Sequence, residues 1–232
     1  MSSVWASAGV HLSVFPHVGA AMPQQHRARV TREAIVLAAA REFARLGFGA
    51  TSLNIILERS RVTKGAFYFH FPSKEALAQH LIDHSRRGWM EIERHRLRAA
   101  SDPLRTVVLM VDDYARLLTE DELAWAGIRL LGEDGGPGEL FGAWYVSWEG
   151  LLRRLLTDAG RRGLLRPGVD PGDVAGVIAA GVVGARAVSH GTAGSGDLAD
   201  RVSRLWRVVL PGVATAGWWS EFQGSDPALV GA

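Results

Sequence analysis

Residues 51–78 read TSLNIILERSRVTKGAFYFHFPSKEALA, and this stretch decides the fold of the chain. Apolar residues recur at helical spacing in two short runs, 53–57 and 66–69, which a tight turn separates. Thr51 is predicted to cap the first helix and Thr63 the second, because a hydroxyl before a helix accepts hydrogen bonds from its free N–H groups. Two short helices joined by a tight turn predict a helix-turn-helix, whose second helix enters the major groove of DNA.

The segments on either side of this stretch continue the helical pattern. Residues 30–46 repeat apolar side chains at helical spacing, and Gly47 is predicted to end that helix. Pro72 breaks the third helix, and Ser73 is predicted to cap a long fourth helix. The first three helices therefore predict a DNA-binding domain over residues 24–72.

The remainder of the chain is also predicted to be helical, without a β-alternating segment. The predicted helices run from Pro103 to about Leu118, Glu122 to Leu131, Glu139 to Ala159, Pro171 to about His190 and 197 to about 213. We expect an all-α protein of about nine helices, in which a three-helix helix-turn-helix bundle joins a larger ligand-binding and dimerisation domain over residues 73–217. Residues 1–23 lack the basic start of a signal peptide and are predicted to be a disordered tail, and residues 218–232 a C-terminal tail.

The net charge of +2 conceals an uneven distribution of charge along the chain. Residues 24–74 contain nine Lys and Arg against three Asp and Glu, whereas residues 75–232 contain 17 against 21. The first segment therefore carries +6 and the second −4, and residues 1–23 carry no charged side chain. A basic segment joined to a mildly acidic body indicates either a polyanionic partner for that segment or a solvated basic face.

The start of the predicted second helix of the motif suits close contact with a phosphate backbone. Thr63 provides a hydroxyl, Lys64 a cation and Gly65 a position without a side chain. Tyr68 and His70 extend the same surface with a phenol and an imidazole. These five residues are therefore candidate DNA contacts, with surface aromatics as the alternative interpretation of the last two.

The run V62-T-K-G-A-F-Y-F-H-F-x-S-K-E-A-L77 resembles the DNA-binding signature of TetR-family regulators over about residues 27–85. The resemblance implies that Thr51 caps a helix against a phosphate and that Phe67 and Phe69 belong to a small core. It also implies that Thr63, Lys64, Gly65, Tyr68, His70 and Lys74 contact DNA. With Arg61 added for base readout, the candidate DNA-binding residues are Thr51, Arg61, Thr63, Lys64, Gly65, Tyr68, His70 and Lys74.

The body resembles the γ-butyrolactone autoregulator receptors of actinomycetes, a branch of the same family. The resemblance rests on A126-G-I-R-L130, on the helix around Trp148, and on G181-V-V-G-A-R186. It implies a repressor that leaves a pseudo-palindromic operator when a small γ-butyrolactone-like signal binds. It also implies that Trp148 contacts that signal. A regulator that answers an antibiotic, a furan or a butenolide is the alternative.

The spacing of bulky apolar residues indicates where a small apolar ligand would lie. Trp144, Trp148 and Leu152 form one stripe at intervals of four residues on the predicted helix. Such a stripe is typical either of plain core or of a pocket wall, since pockets are mostly apolar with few polar anchors. The candidate ligand-binding residues are Trp148, Trp144, Trp125, Val107, Met110 and Leu152.

A homodimer is predicted from the geometry of DNA. One helix-turn-helix presents little surface, whereas two copies spaced about 34–36 Å apart read successive major grooves of double-stranded DNA. The last two long helices, 171–190 and 197–213, are predicted to form the dimer face. Ala179, Gly181 and Gly184 allow helices to approach closely, which is useful either at a dimer interface or to leave room for a ligand.

Other classes of protein are less consistent with the sequence. Cysteine is absent, so disulfides and thiolate metal sites are excluded, and no G-x-S-x-G or H-E-x-x-H motif indicates an enzyme. His80 and His84 have the spacing of a metal pair but no defined third ligand, and we interpret them as surface residues. We therefore expect no enzyme activity, metal or cofactor. Without about 18 uninterrupted apolar residues no membrane span is expected, and a cytoplasmic location is predicted.

Overall fold

The computed structural model describes residues 24–99, 102–133 and 141–225. These ranges contain ten helices, and their β pairing is limited to a single bridge between Leu165 and Ala214, which confirms the predicted all-α class. The helices are α1 (Gln24–Ala50), α2 (Leu53–Ser60), α3 (Lys64–His70), α4 (Lys74–Arg98), α5 (Pro103–Glu120), α6 (Glu122–Leu131), α7 (Phe141–Arg161), α8 (Pro171–Thr192), α9 (Leu198–Val213) and α10 (Ala216–Ser225).

Side-chain oxygens begin most of these helices where the sequence predicts a start. The Thr63 hydroxyl accepts from the Ala66 N–H, and the Ser73 hydroxyl accepts from the Ala76 N–H, as predicted. Carboxylates do the same in the body, where Asp102, Asp121 and Asp170 cap α5, α6 and α8. Because each cap satisfies free backbone N–H groups, these boundaries follow directly from local sequence.

The predicted end of the first helix at Gly47 is confirmed as a break in its backbone. Gly47 has φ 81° and ψ 174°, a conformation that a residue with a Cβ rarely adopts. The chain then continues to Ala50 before α2 begins. This break turns the chain from α1 into the helix-turn-helix.

Helix α4 connects the first three helices to the body and packs very closely against α6. A Cβ placed on Gly127 of α6 would lie 2.2 Å from the carbonyl oxygen of Leu81 and 2.9 Å from the Cβ of Ser85, both on α4. Helix α1 also packs against α6. The N-terminal helices are therefore fixed to the body through α6 at two places.

The prediction that residues 218–232 form a C-terminal tail is wrong for residues 218–225, which lie in α10. Trp218 and Phe222 are buried, and their rings stack with centroids 4.8 Å apart. Trp218 Nε1 also donates a hydrogen bond to Asp102 at 3.1 Å. These apolar and polar contacts hold α10 against the start of α5. Residues 226–232, and the predicted disordered tail at 1–23, lie outside the described residues.

The carboxyl of Asp112 on α5 makes the stability of the fold depend on pH. Burial raises the pKa of its carboxyl to about 6, from an ordinary value of 3.8. The folded protein therefore binds more protons than the unfolded chain between about pH 4 and 6, and it loses stability as the pH rises through that range. Allowing for partial exposure, we expect Asp112→Asn to raise the free energy of unfolding at pH 7 by about 1–2 kcal/mol.

Urea denaturation of the two proteins at several pH values measures this difference. The advantage of Asp112→Asn should shrink as the pH falls toward about 4, because the wild-type carboxyl is then protonated in the folded state and increasingly so in the unfolded state. If Asp112→Asn were more stable than the wild type by the same amount at pH 4 and pH 7, the raised pKa of Asp112 would be contradicted.

Candidate functional site

A tight turn between α2 and α3 sets the geometry of the helix-turn-helix. Arg61 adopts the left-handed conformation with φ 55°. Its N–H donates to the Glu58 carbonyl and the Val62 N–H donates to the Leu57 carbonyl, both at 3.2 Å. The turn consumes these backbone groups and leaves the Arg61 side chain exposed beside the start of α3.

One face of α3 is packed and the other is open. Phe67 is fully buried and Phe71, one turn later, is 4% exposed. The candidate DNA-binding residues around this helix lie at the surface: Arg61, Thr63, Lys64, Gly65 and Tyr68 are exposed, and His70 is half-buried. A Cβ placed on Gly65 would meet no described atom within 4 Å, so a duplex has room to approach the backbone there.

Phe69 does not belong to the small core that the resemblance implies for it. Its side chain is 77% exposed, and its ring meets that of His70 edge-on at 5.0 Å. The reason is helical geometry, because Phe67 and Phe71 are four residues apart and occupy the buried face, which turns position 69 outward. Phe69 is therefore an additional surface residue beside the candidate DNA contacts.

The predicted role of Thr51 as the cap of α2 is also wrong. Thr51 is fully buried, and its hydroxyl donates to the carbonyls of Gly47 at 2.7 Å and Glu42 at 3.2 Å. The exposed Ser52 caps the helix, accepting from the Ile55 N–H at 3.3 Å. Thr51 points inward because the carbonyl of Gly47, at the break in α1, needs a nearby donor. Ser52 occupies the exposed capping position, which the sequence pattern did not assign to it.

Lys74 has a different role from the DNA contact that the family resemblance implies for it. Its Nζ donates to the carbonyls of Phe48 and Thr51, each at 2.9 Å, and lies 4.0 Å from the centre of the Phe48 ring. These contacts tie the loop after Gly47 to the start of α4. Lys74 thus fixes the helix-turn-helix to the helix that leads into the body.

The two histidines with metal-like spacing have other partners in the fold. The ring of His80 lies against Arg32, with Arg32 Nη2 3.3 Å from His80 Nδ1, and burial lowers the pKa of that imidazole. His84 Nε2 is 2.7 Å from Asp121 Oδ2, and this contact helps to lower the pKa of the partly buried carboxyl. Both histidines therefore join α4 to neighbouring helices.

An aromatic cluster occupies the centre of the body. Trp148 is 2% exposed and stacks on Trp144 with ring centroids 5.4 Å apart. Tyr114 and Trp89, which the sequence pattern did not single out, lie 6.4 Å and 6.2 Å from Trp148 by the same measure. The structure thus brings the two predicted tryptophans together and adds an aromatic from α5 and one from α4.

Three more of the candidate ligand residues lie in the core of the body. Val107 and Met110 on α5 and Leu152 on α7 are fully buried. Tyr114 follows Met110 by four residues on the same face of α5, a spacing that provided a signal for it. Met110 and Leu152 therefore lie one helical turn from Tyr114 and Trp148, on the same helix faces.

Trp125 does not share the cavity predicted for it with Trp148. It lies 6.0 Å from His190 by ring centroids and lines a separate cavity of about 440 Å³, whose other walls include Arg41 and Arg45 of α1. Gly127 faces α4, and Trp125, two positions earlier on the same helix, is turned toward α1 and α8. The assignment of Trp125 to the same ligand site is therefore corrected.

The aromatic cluster contains polar atoms without partners. Tyr114 Oη and Trp148 Nε1 are buried, and no described residue makes a hydrogen bond with either. Leaving a buried polar group unpaired costs about 1–3 kcal/mol, so a ligand or an ordered water that accepted from these two donors would be stabilising. A cavity of about 320 Å³, bounded by Trp144, Leu131 and Arg86, opens beside the cluster. This is the candidate effector site.

A short polar chain connects the end of α6 with the break in α1. Arg129 Nε lies 3.2 Å from Glu133 Oε1, and Glu133 Oε2 accepts the Phe48 N–H at 2.7 Å. Phe48 is also the residue whose carbonyl Lys74 holds. These contacts link the end of α6 to the loop that precedes α2.

Comparison with known proteins agrees with this architecture. Residues 35–81 match the family described as bacterial regulatory proteins, tetR family. The A-factor receptor protein of Streptomyces griseus is 36% identical over 199 residues, which cover 84% of this chain and 68% of that protein.

Solved structures of regulators share the fold. A crystal structure of a gamma-butyrolactone receptor, an ArpA-like protein, is 27% identical, with a TM-score of 0.74 over 88% of this chain and 98% of that chain. CprB from Streptomyces coelicolor, solved with its operator sequence, is 26% identical, with a TM-score of 0.71 over the same shares. The chain therefore belongs to the tetR family of bacterial regulatory proteins.

Proposed function

We propose that this protein is a dimeric transcriptional repressor that binds a pseudo-palindromic operator and is released by a small γ-butyrolactone-like signal. The observation that carries the proposal is the open face of α3, where Lys64, Gly65 and Tyr68 are exposed while Phe67 is buried. The alternative that remains is a different ligand, such as an antibiotic, a furan or a butenolide.

The chemistry of the α3 face suits a duplex. The segment 24–74 carries a net charge of +6, which supplies attraction to phosphates that does not depend on sequence. Arg61, Lys64 and Gly65 are exposed, and in this proposal they contact base edges. A protein with these contacts works where the chromosome is, so we place it in the cytoplasm.

An exposed apolar surface on helices α8 and α9 is the observation that favours a dimer. Val177, Val188 and Val208 are 54%, 48% and 79% exposed, and the last two line a shallow groove of about 410 Å³ between the helices. Within the described residues, α8 is also the one helix long and apolar enough to cross a membrane. We assign its exposed apolar side to a second copy of the chain, because that side is continuous with α9.

The aromatic cluster supports the effector. Relatives of this chain are named as receptors for A-factor and for gamma-butyrolactone, and Trp148 holds an N–H without a described partner against the rings of Trp144 and Tyr114. A ligand there contacts helices α4, α5 and α7 together. It releases DNA only if it binds the operator-incompetent arrangement of these helices more tightly than the competent one.

Alanine substitutions on α3 test the DNA-binding part of the proposal. We expect Lys64→Ala and Tyr68→Ala each to weaken binding to the upstream operator by about tenfold or more, because each dimer loses two contacts. The measurement is fluorescence anisotropy of a labelled duplex at fixed salt concentration. Arg154→Ala is the matched control, because it removes one exposed positive charge from α7 in the body.

The same titration tests the effector. Addition of an acyl γ-butyrolactone should lower the anisotropy of the wild-type complex and quench tryptophan fluorescence in a protein whose Trp148 is intact. Unchanged operator affinity in Lys64→Ala and Tyr68→Ala would contradict the DNA-binding surface. An unchanged complex with every lactone would leave that surface standing and contradict the effector.

A further inference from the structure

The cavity that Trp125 lines is bounded by both parts of the molecule. Its volume of about 440 Å³ lies within the usual range of about 300–1,000 Å³ for small-molecule pockets. Its walls come from α1 of the DNA-binding domain, from α5, α6 and α8 of the body, and from the turn that follows α8. It shares no described residue with the cavity beside Trp144, so the two are separate places for a ligand.

Helix α1 contributes two rows of side chains to the lining of this cavity. Ala40 and Ala44 are four residues apart, and so are Arg41 and Arg45, so each pair lies along one line on the helix surface. Ala40 is fully buried, whereas both arginines are exposed. The small side chains therefore leave room in the inner part of this wall, and the two cations form its outer part.

Two aromatic rings belong to the wall that the body contributes. Trp125 of α6 is 7% exposed, and its ring centroid lies 6.0 Å from that of His190 on α8, with the ring planes inclined at 44°. Burial, together with nearby arginines, lowers the pKa of the His190 imidazole, so this ring is neutral at pH 7. Because aromatic side chains pack well on the face or edge of another ring, this wall favours a flat aromatic ligand.

The charged side chains that line the cavity favour an anion, because two of the described ones are arginines and one is a carboxylate. Arg41 is held by Glu122, whose carboxylate oxygens lie 2.8 Å from its Nε and 3.3 Å from its Nη2. Arg45 Nη2 lies 2.7 Å from Glu42, a buried carboxylate that also lies 3.3 Å from Arg59 Nε. Two guanidinium groups thus share Glu42. Since a guanidinium has five N–H donors, Arg45 is able to bind an anion in the cavity and still keep Glu42.

We propose that this cavity is a second small-molecule site, separate from the candidate effector site, and that its ligand is a planar aromatic acid. The ring of the ligand packs between Trp125 and the alanines of α1, and its carboxylate is bound by Arg45. Such a ligand contacts α1 and three helices of the body at once. By linkage, any preference that it has for the free or the operator-bound protein changes operator affinity by the same factor.

The test is isothermal titration calorimetry of the full chain at neutral pH with naphthoate and with naphthamide, which has the same ring system but no charge. We expect naphthoate to bind about tenfold or more tightly than naphthamide, since a charge-assisted hydrogen bond exceeds a neutral one. Arg45→Gln should bring the two affinities to within about twofold of each other. Arg154→Gln removes an exposed arginine from α7, outside the cavity, and should keep the full difference.

Two tryptophan substitutions distinguish this cavity from the candidate effector site. Trp125→Leu removes the indole from the wall and should weaken binding of both probes by about fivefold or more, while Trp144→Leu, at the cavity beside the aromatic cluster, should weaken neither. Urea denaturation shows whether each variant is folded, and the exposed Arg45→Gln decides the outcome if Trp125→Leu is not.

Three results would overturn this inference and leave the proposed function intact. The first is equal affinity of the wild type for the two probes, or binding of neither. The second is a tenfold preference for naphthoate that survives Arg45→Gln. The third is naphthoate binding that is lost in Trp144→Leu and kept in Trp125→Leu, which would place the probe in the candidate effector site.

Discussion

Gly127→Ala is expected to lower the free energy of unfolding by about 2–4 kcal/mol, which places it among the most damaging single changes in the chain. The added methyl group would lie 2.2 Å from the Leu81 carbonyl oxygen and 2.9 Å from the Ser85 Cβ, and a backbone atom cannot move aside as a side-chain end can. Helix α4 must then separate from α6. Because α4 carries the helix-turn-helix, operator affinity should fall as well. Urea denaturation and operator anisotropy measure the two effects.

Gly150→Ala on α7 is the matched control for that substitution. Its Cβ would meet only Arg154 Nη1 among the described atoms, at an ordinary distance of 3.7 Å. Alanine is favoured over glycine inside a helix by about 0.5–1 kcal/mol, so this variant should be as stable as the wild type or slightly more so. Equal stability of Gly127→Ala and Gly150→Ala would show that α4 and α6 are not in such close contact.

Val208→Glu is expected to convert the dimer to a monomer and to weaken operator binding by about 100-fold or more. Val208 is 79% exposed on α9, so the substitution has little effect on the fold of one chain. In the proposed dimer it places a carboxylate in the apolar interface between two copies, where an unpaired charge is strongly unfavourable. Each remaining half binds with one helix-turn-helix and loses the advantage of two linked sites. Sedimentation velocity and operator anisotropy give the two readouts.

Val146→Glu provides a control with the same chemistry. Val146 is 70% exposed on α7, outside the α8 and α9 face. This variant should remain a dimer with wild-type operator affinity. A dimeric Val208→Glu protein, or equal disruption by both substitutions, would contradict the assignment of the interface.

The sequence predicted the helices well where a local group starts or stops them. Ser73 caps α4 and Pro171 begins α8 at the predicted positions, and Gly47 breaks the chain where a glycine was expected to end a helix. The errors arise where tertiary contacts decide between neighbours. Thr51 and Ser52 are both hydroxyl residues, and the choice between them depends on the carbonyl that the break at Gly47 leaves in need of a donor.

In the candidate sites too, features set within one helix were predictable from the sequence, and features set by contacts between helices were not. The open side of α3 follows from a four-residue spacing, although the family resemblance places Phe69 on the buried side of it. The aromatic stripe containing Trp148 lies on one helix and was visible in the sequence. Trp89 and Tyr114 lie on different helices from Trp148, and only the packing of those helices brings the three rings together. No periodicity in one segment carries that information.

Lysine acetylation provides the most direct test of the DNA-binding surface, because the chain contains two lysines, Lys64 and Lys74. Lys64 is exposed at the start of α3, whereas Lys74 donates to two backbone carbonyls. The protein is treated with an acetylating ester, free and bound to operator, and both sites are followed by mass spectrometry. We predict rapid modification of Lys64 in the free protein, strong protection of Lys64 by the operator, and slow modification of Lys74 in both samples. Modification of Lys64 at the same rate with operator bound would contradict the placement of α3 in the major groove.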